Sequence, residues 1–283
     1  MTIMALFTIS HAQEIHVSNA RDFLLSIGSN KTIIIEDEAC FNLTEALLGI
    51  HETLPNEYPM FEEDDDEAYH IQLIKNTVSF INQFDGPEIV IKDITNLIVK
   101  GGDRLPVLLA QPRYAYIFRL YNCSNITFEN LIMGHTNEGG CIGGVVELDQ
   151  CNKISFINCD LFGCGTEGLT AKNVNDLTFN NSHIHDCTSS IMSLYDCNNC
   201  SFNNSLFFNN REYELVNITG TYTKNIHFTN CEFFQNNGTL FNFHNSILFE
   251  NCYISHPKDK RGTTKLIYDL GSKWTVPTGY PHE

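Results

Sequence analysis

Short runs in which apolar and polar residues alternate, separated by Asn, Asp and Gly, dominate this chain. Alternation puts successive side chains on opposite faces of a strand, and Asn, Asp and Gly are the residues of tight turns. One unit recurs: an apolar anchor, a polar residue, Phe, any residue, then Asn. It appears at Ile126, Phe128 and Asn130; at Ile154, Phe156 and Asn158; and at Leu177, Phe179 and Asn181. It continues at Cys200, Phe202 and Asn204; at Ile226, Phe228 and Asn230; and at Ile247, Phe249 and Asn251, with Leu97 and Val99 as a degenerate earlier copy. The seven anchors are 29, 28, 23, 23, 26 and 21 residues apart. A helical repeat keeps its length tightly, whereas a β-solenoid absorbs insertions in its turns while its strands stay in register.

A single coil of this kind cannot bury its apolar face or pair its strand edges. Stacking coils at about 4.8 Å does both. Val146, Leu148, Ile154 and Phe156 then point inward, the repeated Phe residues form an aromatic ladder, and the repeated Asn residues form an amide ladder at a turn. The 11 cysteines fall largely at repeat positions. Cys159, Cys231 and Cys252 share a position with Ser182 and Ser205; Cys164 and Cys187 share one with Asn210 and Asn236; Cys123, Cys151 and Cys197 align with Val174. Exchange with Ser and Val points to packing rather than redox chemistry.

An open solenoid needs covered ends. Residues 18–27 predict a short helix with Ser18 as N-cap, residues 32–36 a strand, and the residues after Asn42 a turn. The expected division is a leader remnant over 1–12, whose Ser10, His11 and Ala12 resemble a processing site; cap, first coil and acidic insertion over 13–87; parallel β-helix over 88–268; and a tail over 269–283 covering the C-terminal edge. The run at 62–67 reads as a solvated loop. The fold class expected is all-β, a single-stranded right-handed parallel β-helix with a short N-terminal helical cap.

Charge narrows the partners. A net charge of -17 excludes a nucleic-acid surface, which needs clustered Lys and Arg. No apolar run is long enough to span a membrane. With the leader, a secreted, periplasmic or cell-surface location is expected.

The segment from Glu88 to Gly101, the segment from Cys164 to Ala171 and the Phe–Asn coils resemble the right-handed parallel β-helix repeat family, the architecture of pectate lyases and related polysaccharide-active proteins, and within it the secreted bacterial members. The resemblance implies a polysaccharide or glycan partner, no nucleic acid and a monomer. It leaves calcium open as a cofactor and assigns no metal ligand.

The strands that open the later coils run through Arg119, Glu147, Thr170, Ser193, Asn217 and Asn242 at their third positions, and through Tyr121, Asp149, Lys172, Tyr195, Thr219 and His244 at their fifth. Second and fourth positions are apolar, so these twelve face out. Carboxylates, cations and two phenol rings on one elongated face suit a sugar chain, with rings stacking on Tyr and polar groups bonding hydroxyls. Glu138, Glu167, Arg211 and Tyr213 flank it. The expected catalytic group is Glu147, Asp149 and Lys172; the expected substrate-binding group is Arg119, Tyr121, Glu167, Tyr195, Arg211, Asn217 and His244. Glu147 and Asp149 lie about 7 Å apart by strand geometry, a spacing compatible with an acid–base pair across a glycosidic bond. A lyase would instead need a base for the proton beside a uronate carboxyl and a cation for the enolate. His183, His185, Asp186 and Asp160 form a partial metal-ligand set. Two functional readings stand: a protein that binds or processes carbohydrate along this face (if an enzyme, a polysaccharide lyase or glycoside hydrolase), and a non-catalytic solenoid that binds protein partners.

Overall fold

In the computed structural model, the residues described are 12–53, 71–136, 143–163, 165–243, 247–255, 267–270 and 274–275. Residues 1–11 of the segment expected to be a leader remnant, the acidic run 62–67, Glu138, Cys164, His244 and most of the tail lie outside them, as do the Tyr213 and Asn242 side chains. Among the described residues three sheets of ten, nine and nine strands run the length of the solenoid. Each coil passes from the third sheet to the first, then to the second, and back. One such circuit is Phe118–Tyr121, Ser124–Glu129 and Ile132–His135, followed by Val146–Asp149 of the next coil.

The register is the one the repeat dictates. Leu97, Ile126, Ile154, Leu177, Cys200, Ile226 and Ile247 stand in one column, and the Phe residues stand in another. Phe128, Phe156, Phe179, Phe202, Phe228 and Phe249 are all buried. Their rings follow one another from coil to coil, stacked with centroids 5.3 Å apart for Phe128 and Phe156 and 4.6 Å for Phe202 and Phe228, and tilted on either side of Phe179. Phe207 and Phe233 of the second sheet meet this ladder edge-on. Such pairs contribute roughly 0.5–1.5 kcal/mol each beyond burial.

The Asn turns have two causes. Asn130, Asn158, Asn181, Asn204, Asn230 and Asn251 all have φ between 50° and 56°. That left-handed conformation costs an ordinary residue roughly 1–2 kcal/mol, and Asn tolerates it best after Gly. The amides also bond along the stack, Asn158 Nδ2 donating to Asn130 Oδ1 at 2.8 Å and Asn230 Nδ2 to Asn204 Oδ1 at 3.0 Å. A second left-handed corner, between the third and first sheets, carries Asp93, Asn122, Gln150, Asn173 and Asp196.

The cysteine columns pack as expected and also carry hydrogen bonds. Cys159, Cys231 and Cys252 donate their thiols to the carbonyls of Phe128, Phe202 and Phe228 in the preceding coil, each at 3.3 Å. Ser205 Oγ donates to Phe179 O in the same way. Cys and Ser exchange freely here because both are small donors. All nine cysteines among the described residues are free thiols, and burial pushes that of Cys159 up to about 12.

The ends differ in detail from the sequence expectation. The first helix is Ala20–Ser26, and its N-cap is Asn19 rather than Ser18: Asn19 Oδ1 accepts from the Asp22 amide at 2.9 Å. Where a turn was expected after Asn42, a second helix, Leu43–His51, begins with Asn42 as its cap. Leu43, Leu47 and Ile50 recur at helical spacing and are buried, so the turn reading missed a short amphipathic period. Parallel stacking reaches back to Gln13–Val17. At the far end Ile267–Leu270 and Trp274–Thr275 pair antiparallel with the last strands of the second and first sheets and cover those edges, so the antiparallel pairing begins at Ile267, inside the span expected to be parallel. The third sheet begins with three antiparallel strands, Ile71–Ile74, Val78–Gln83 and Gly86–Lys92.

Candidate functional site

On the third sheet, register sets the outward residues in two columns. Val90, Arg119, Glu147, Thr170, Ser193 and Asn217 form one; Lys92, Tyr121, Asp149, Lys172, Tyr195 and Thr219 form the other. Strand pleating puts both columns on the same face. A cavity of about 470 Å³ opens there, lined by Ile81, Val90, Lys92, Arg119, Tyr121, Glu147, Asp149 and Lys172. All three expected catalytic residues and two of the expected binding residues, Arg119 and Tyr121, therefore meet in one place.

Arg119 organises the charge. Its Nε lies 3.1 Å from Glu88 Oε1 and 2.5 Å from Glu147 Oε2, and its guanidinium carbon sits 5.7 Å from the centre of the Tyr116 ring. Lys172 Nζ stands 3.7 Å from Glu147 Oε1. Glu147 faces outward as the alternation requires, yet it is only 8% exposed, because these cations cover it. Both of its oxygens face cations, so the carboxylate is held in place between Arg119 and Lys172. Beside it, Asp149 Oδ1 is buried and, like Glu147 Oε2, has no hydrogen-bond partner among the described residues, but it has no cation against it in the way Glu147 does. A buried, unsatisfied acceptor is costly, and a ligand hydroxyl would relieve that cost.

Two residues of the site were missed in the sequence. Glu88 is buried behind Arg119; its Oε2 accepts from the Tyr116 amide at 2.7 Å and its Oε1 from Gln83 Nε2 at 3.2 Å. Burial pushes its carboxyl above the usual range, against the opposing pull of the Arg119 guanidinium and the Tyr116 amide. The signal was present, since Glu88 alternates with inward Ile89 and Ile91. Tyr116 lies in the loop before its strand, where alternation is silent. Its hydroxyl is 3.2 Å from Thr170 Oγ1, and burial pushes that phenol well above its usual pKa.

The remaining expected residues are not all gathered. Tyr195 is 49% exposed and follows Lys172 in the second column, just beyond the cavity. Glu167 Oε1 accepts from Ser193 Oγ at 3.4 Å and does not line it. Asn217 is three coils from Glu147 in the first column, with its Oδ1 buried and unpartnered among the described residues. Arg211 is exposed at the opposite end of the strand Arg211–Thr219, roughly 20 Å along it from Asn217 by strand rise, and does not join the site. His244 lies outside the described residues.

In the histidine motif, His185 is held between two carboxylates and two rings. His185 Nε2 is 2.9 Å from Asp160 Oδ1 and its Nδ1 is 2.6 Å from Asp186 Oδ2. The ring stacks between Phe162 and Phe208, with centroids at 6.0 and 4.6 Å. Both ring nitrogens are thus engaged. Burial works to lower the His185 pKa, but the bonds to Asp160 and Asp186 outweigh it and hold the pKa above the usual histidine value. Among the described residues no group of three or more His, Cys, Asp or Glu side chains is placed to hold a metal ion, so the calcium left open by resemblance finds no fitting donor set there.

Coil order and register define a parallel β-solenoid with a charged cavity on one sheet. Residues 68–254 match the family described as right handed beta helix region, and the chain belongs to that family. No curated protein matches it. Among solved structures it is similar to a pectate lyase from Paenibacillus sp. 0602 (9% identity over 86% of this chain and 78% of that one, TM-score 0.44). It is also similar to an alginate lyase from Paenibacillus sp. str. FPU-7 (9%, 82% and 99%, 0.38) and to PfbA, a surface adhesin of Streptococcus pneumoniae (11%, 94% and 88%, 0.26).

Proposed function

We propose that the protein binds carbohydrate in the cavity over the third sheet, with a polysaccharide as its natural ligand. The observation that supports this is the convergence of Lys92, Arg119, Tyr121, Glu147, Asp149 and Lys172 on one hollow of about 470 Å³. The chemistry fits hydroxyl-rich rings. Tyr121, 40% exposed at the rim, offers a phenol to stack against a sugar. The half-buried Asp149 carboxylate offers an acceptor, and Lys92 and Lys172 offer donors. Arg119, Glu88 and Glu147 hold a rigid floor, which lowers the entropic cost of binding.

If the site is also catalytic, Asp149 is the base, because Glu147 is tied between Arg119 and Lys172. Calorimetry of the full chain against oligogalacturonate, oligoalginate and xylo-oligosaccharide tests the reading. One of these is expected to bind, and both Tyr121→Ala and Asp149→Ala to weaken that binding about tenfold or more, as the loss of about 1.4 kcal/mol does. Unchanged affinity in both variants, or capture of a protein partner through the same face with no sugar bound, would sink it.

A further inference from the structure

A second polar hollow lies beside the first. It measures about 280 Å³ and is lined by Asn173, Asn175, Asp196, Asn198, Tyr222 and Lys224. It sits at the corner where strands of the third sheet turn into the first, and Asn173 directly follows Lys172 of the first cavity. Tyr195, exposed and in register with Lys172, stands between the two.

The hollow owes its shape to a local insertion. In the neighbouring coil two residues, Asp196 and Cys197, carry the chain from Tyr195 to Asn198. One coil on, Thr219 is in register with Tyr195 and Lys224 with Asn198, yet four residues lie between them. The added length is accommodated by Gly220, whose φ of 96° only glycine adopts readily and whose α-carbon faces Asp196 so closely that a Cβ would lie 2.4 Å from Asp196 Oδ1. Asp196 Oδ1 accepts from the Tyr222 amide at 2.9 Å and Thr223 Oγ1 donates to Thr219 O, which fixes the turn. The outcome is a phenol 74% exposed above a floor of amides, a carboxylate and an ammonium.

Three exposed tyrosines thus occur along the solenoid: Tyr121 and Tyr195 in one column, and Tyr222 in the corner turn that follows Thr219 of that column. Tyr121 and Tyr195 are three coil steps apart, about 14 Å, and Tyr222 lies one coil further. We infer that the hollow at Tyr222 is a second carbohydrate subsite, so that the ligand is an extended oligosaccharide lying across successive coils from Lys92 to Lys224. The inference rests on the carbohydrate reading of the first cavity and adds a chain-length requirement to it.

The test compares disaccharide and octasaccharide forms of galacturonan, alginate and xylan on the full chain by calorimetry. Wild-type protein is expected to bind one octasaccharide at least tenfold more tightly than its disaccharide. Tyr222→Ala is expected to remove most of that advantage while leaving disaccharide affinity unchanged. Tyr253→Ala, an exposed tyrosine on the second sheet, is expected to change neither. Should the wild type bind without length preference, or Tyr222→Ala leave octasaccharide affinity intact, the second subsite is refuted while the first cavity stands. No binding of any of the three sugars overturns both.

Discussion

The ladder between the first and second sheets and the outward face of the third sheet are made of the same stacked coils, yet they obey opposite rules. In the ladder, like stands on like: Phe128, Phe156 and Phe179, or Asn130 and Asn158. On the outward face, Val90, Arg119, Glu147 and Thr170 succeed one another at a single position. Repetition suits burial and turn geometry, because every coil faces the same constraint. A binding site needs different groups at neighbouring points, so it forms where the repeat is broken.

The largest expected contrast is in stability. Phe179→Ala removes a fully buried ring and is expected to cost about 3–5 kcal/mol, read as a lower urea midpoint. Tyr195→Ala on the outward face should stay within about 0.5 kcal/mol. Equal losses would erase the distinction between the two regions. Arg119→Met probes the one place where the outward face itself is tightly built. It leaves Glu88 and Glu147 without their shared cation, and a loss of about 2 kcal/mol at neutral pH is expected, discounted because Arg119 is partly exposed. A neutral result would show that the site's charges contribute nothing to the fold. At the ladder turns, Asn158→Ala should cost roughly 1–2 kcal/mol through its left-handed φ, and Asn158→Gly distinctly less; similar losses for both would assign the effect to the amide ladder instead.

The smallest effects are in pH dependence and carry opposite origins. Glu88 has a folded-state pKa above its unfolded one, so the folded state holds the extra proton and stability falls as pH rises from the ordinary carboxylate range through the raised value. Glu88→Gln should flatten that slope. His185 also has a raised folded pKa; its contribution is complete below the ordinary histidine value and is lost as pH rises through the raised one. His185→Gln should flatten that second slope in a urea-midpoint series across pH, and an unaltered slope would show that the Asp160 and Asp186 bonds do not act on folding.

The fold was legible because its signals are local and repeated. Alternation named the inward residues, and the Phe–Asn spacing named the register. Asn19 and the helix at Leu43 were missed because a cap and a two-turn helix each appear once, with no second copy to average against. Arg119, Tyr121, Glu147, Asp149 and Lys172 were found as outward residues on adjacent coils, and alternation alone could do that. Arg211 was drawn in by type and rough position, and strand length placed it at the far end.

The sequence by itself determined the coil, its inside and outside, and which residues share a column, since a period of two along strands and a step of two dozen between them need no knowledge of distant contacts. Only the tertiary structure decided that Arg119 is shared by Glu88 and Glu147, that Asp149 is left with a buried oxygen lacking a hydrogen-bond partner, and that Tyr222 stands over a hollow beside Asp196. Those facts depend on how side chains from coils of unequal length meet across the stack, and a loop residue such as Tyr116 or a two-residue insertion in a turn has no periodicity from which to read its place.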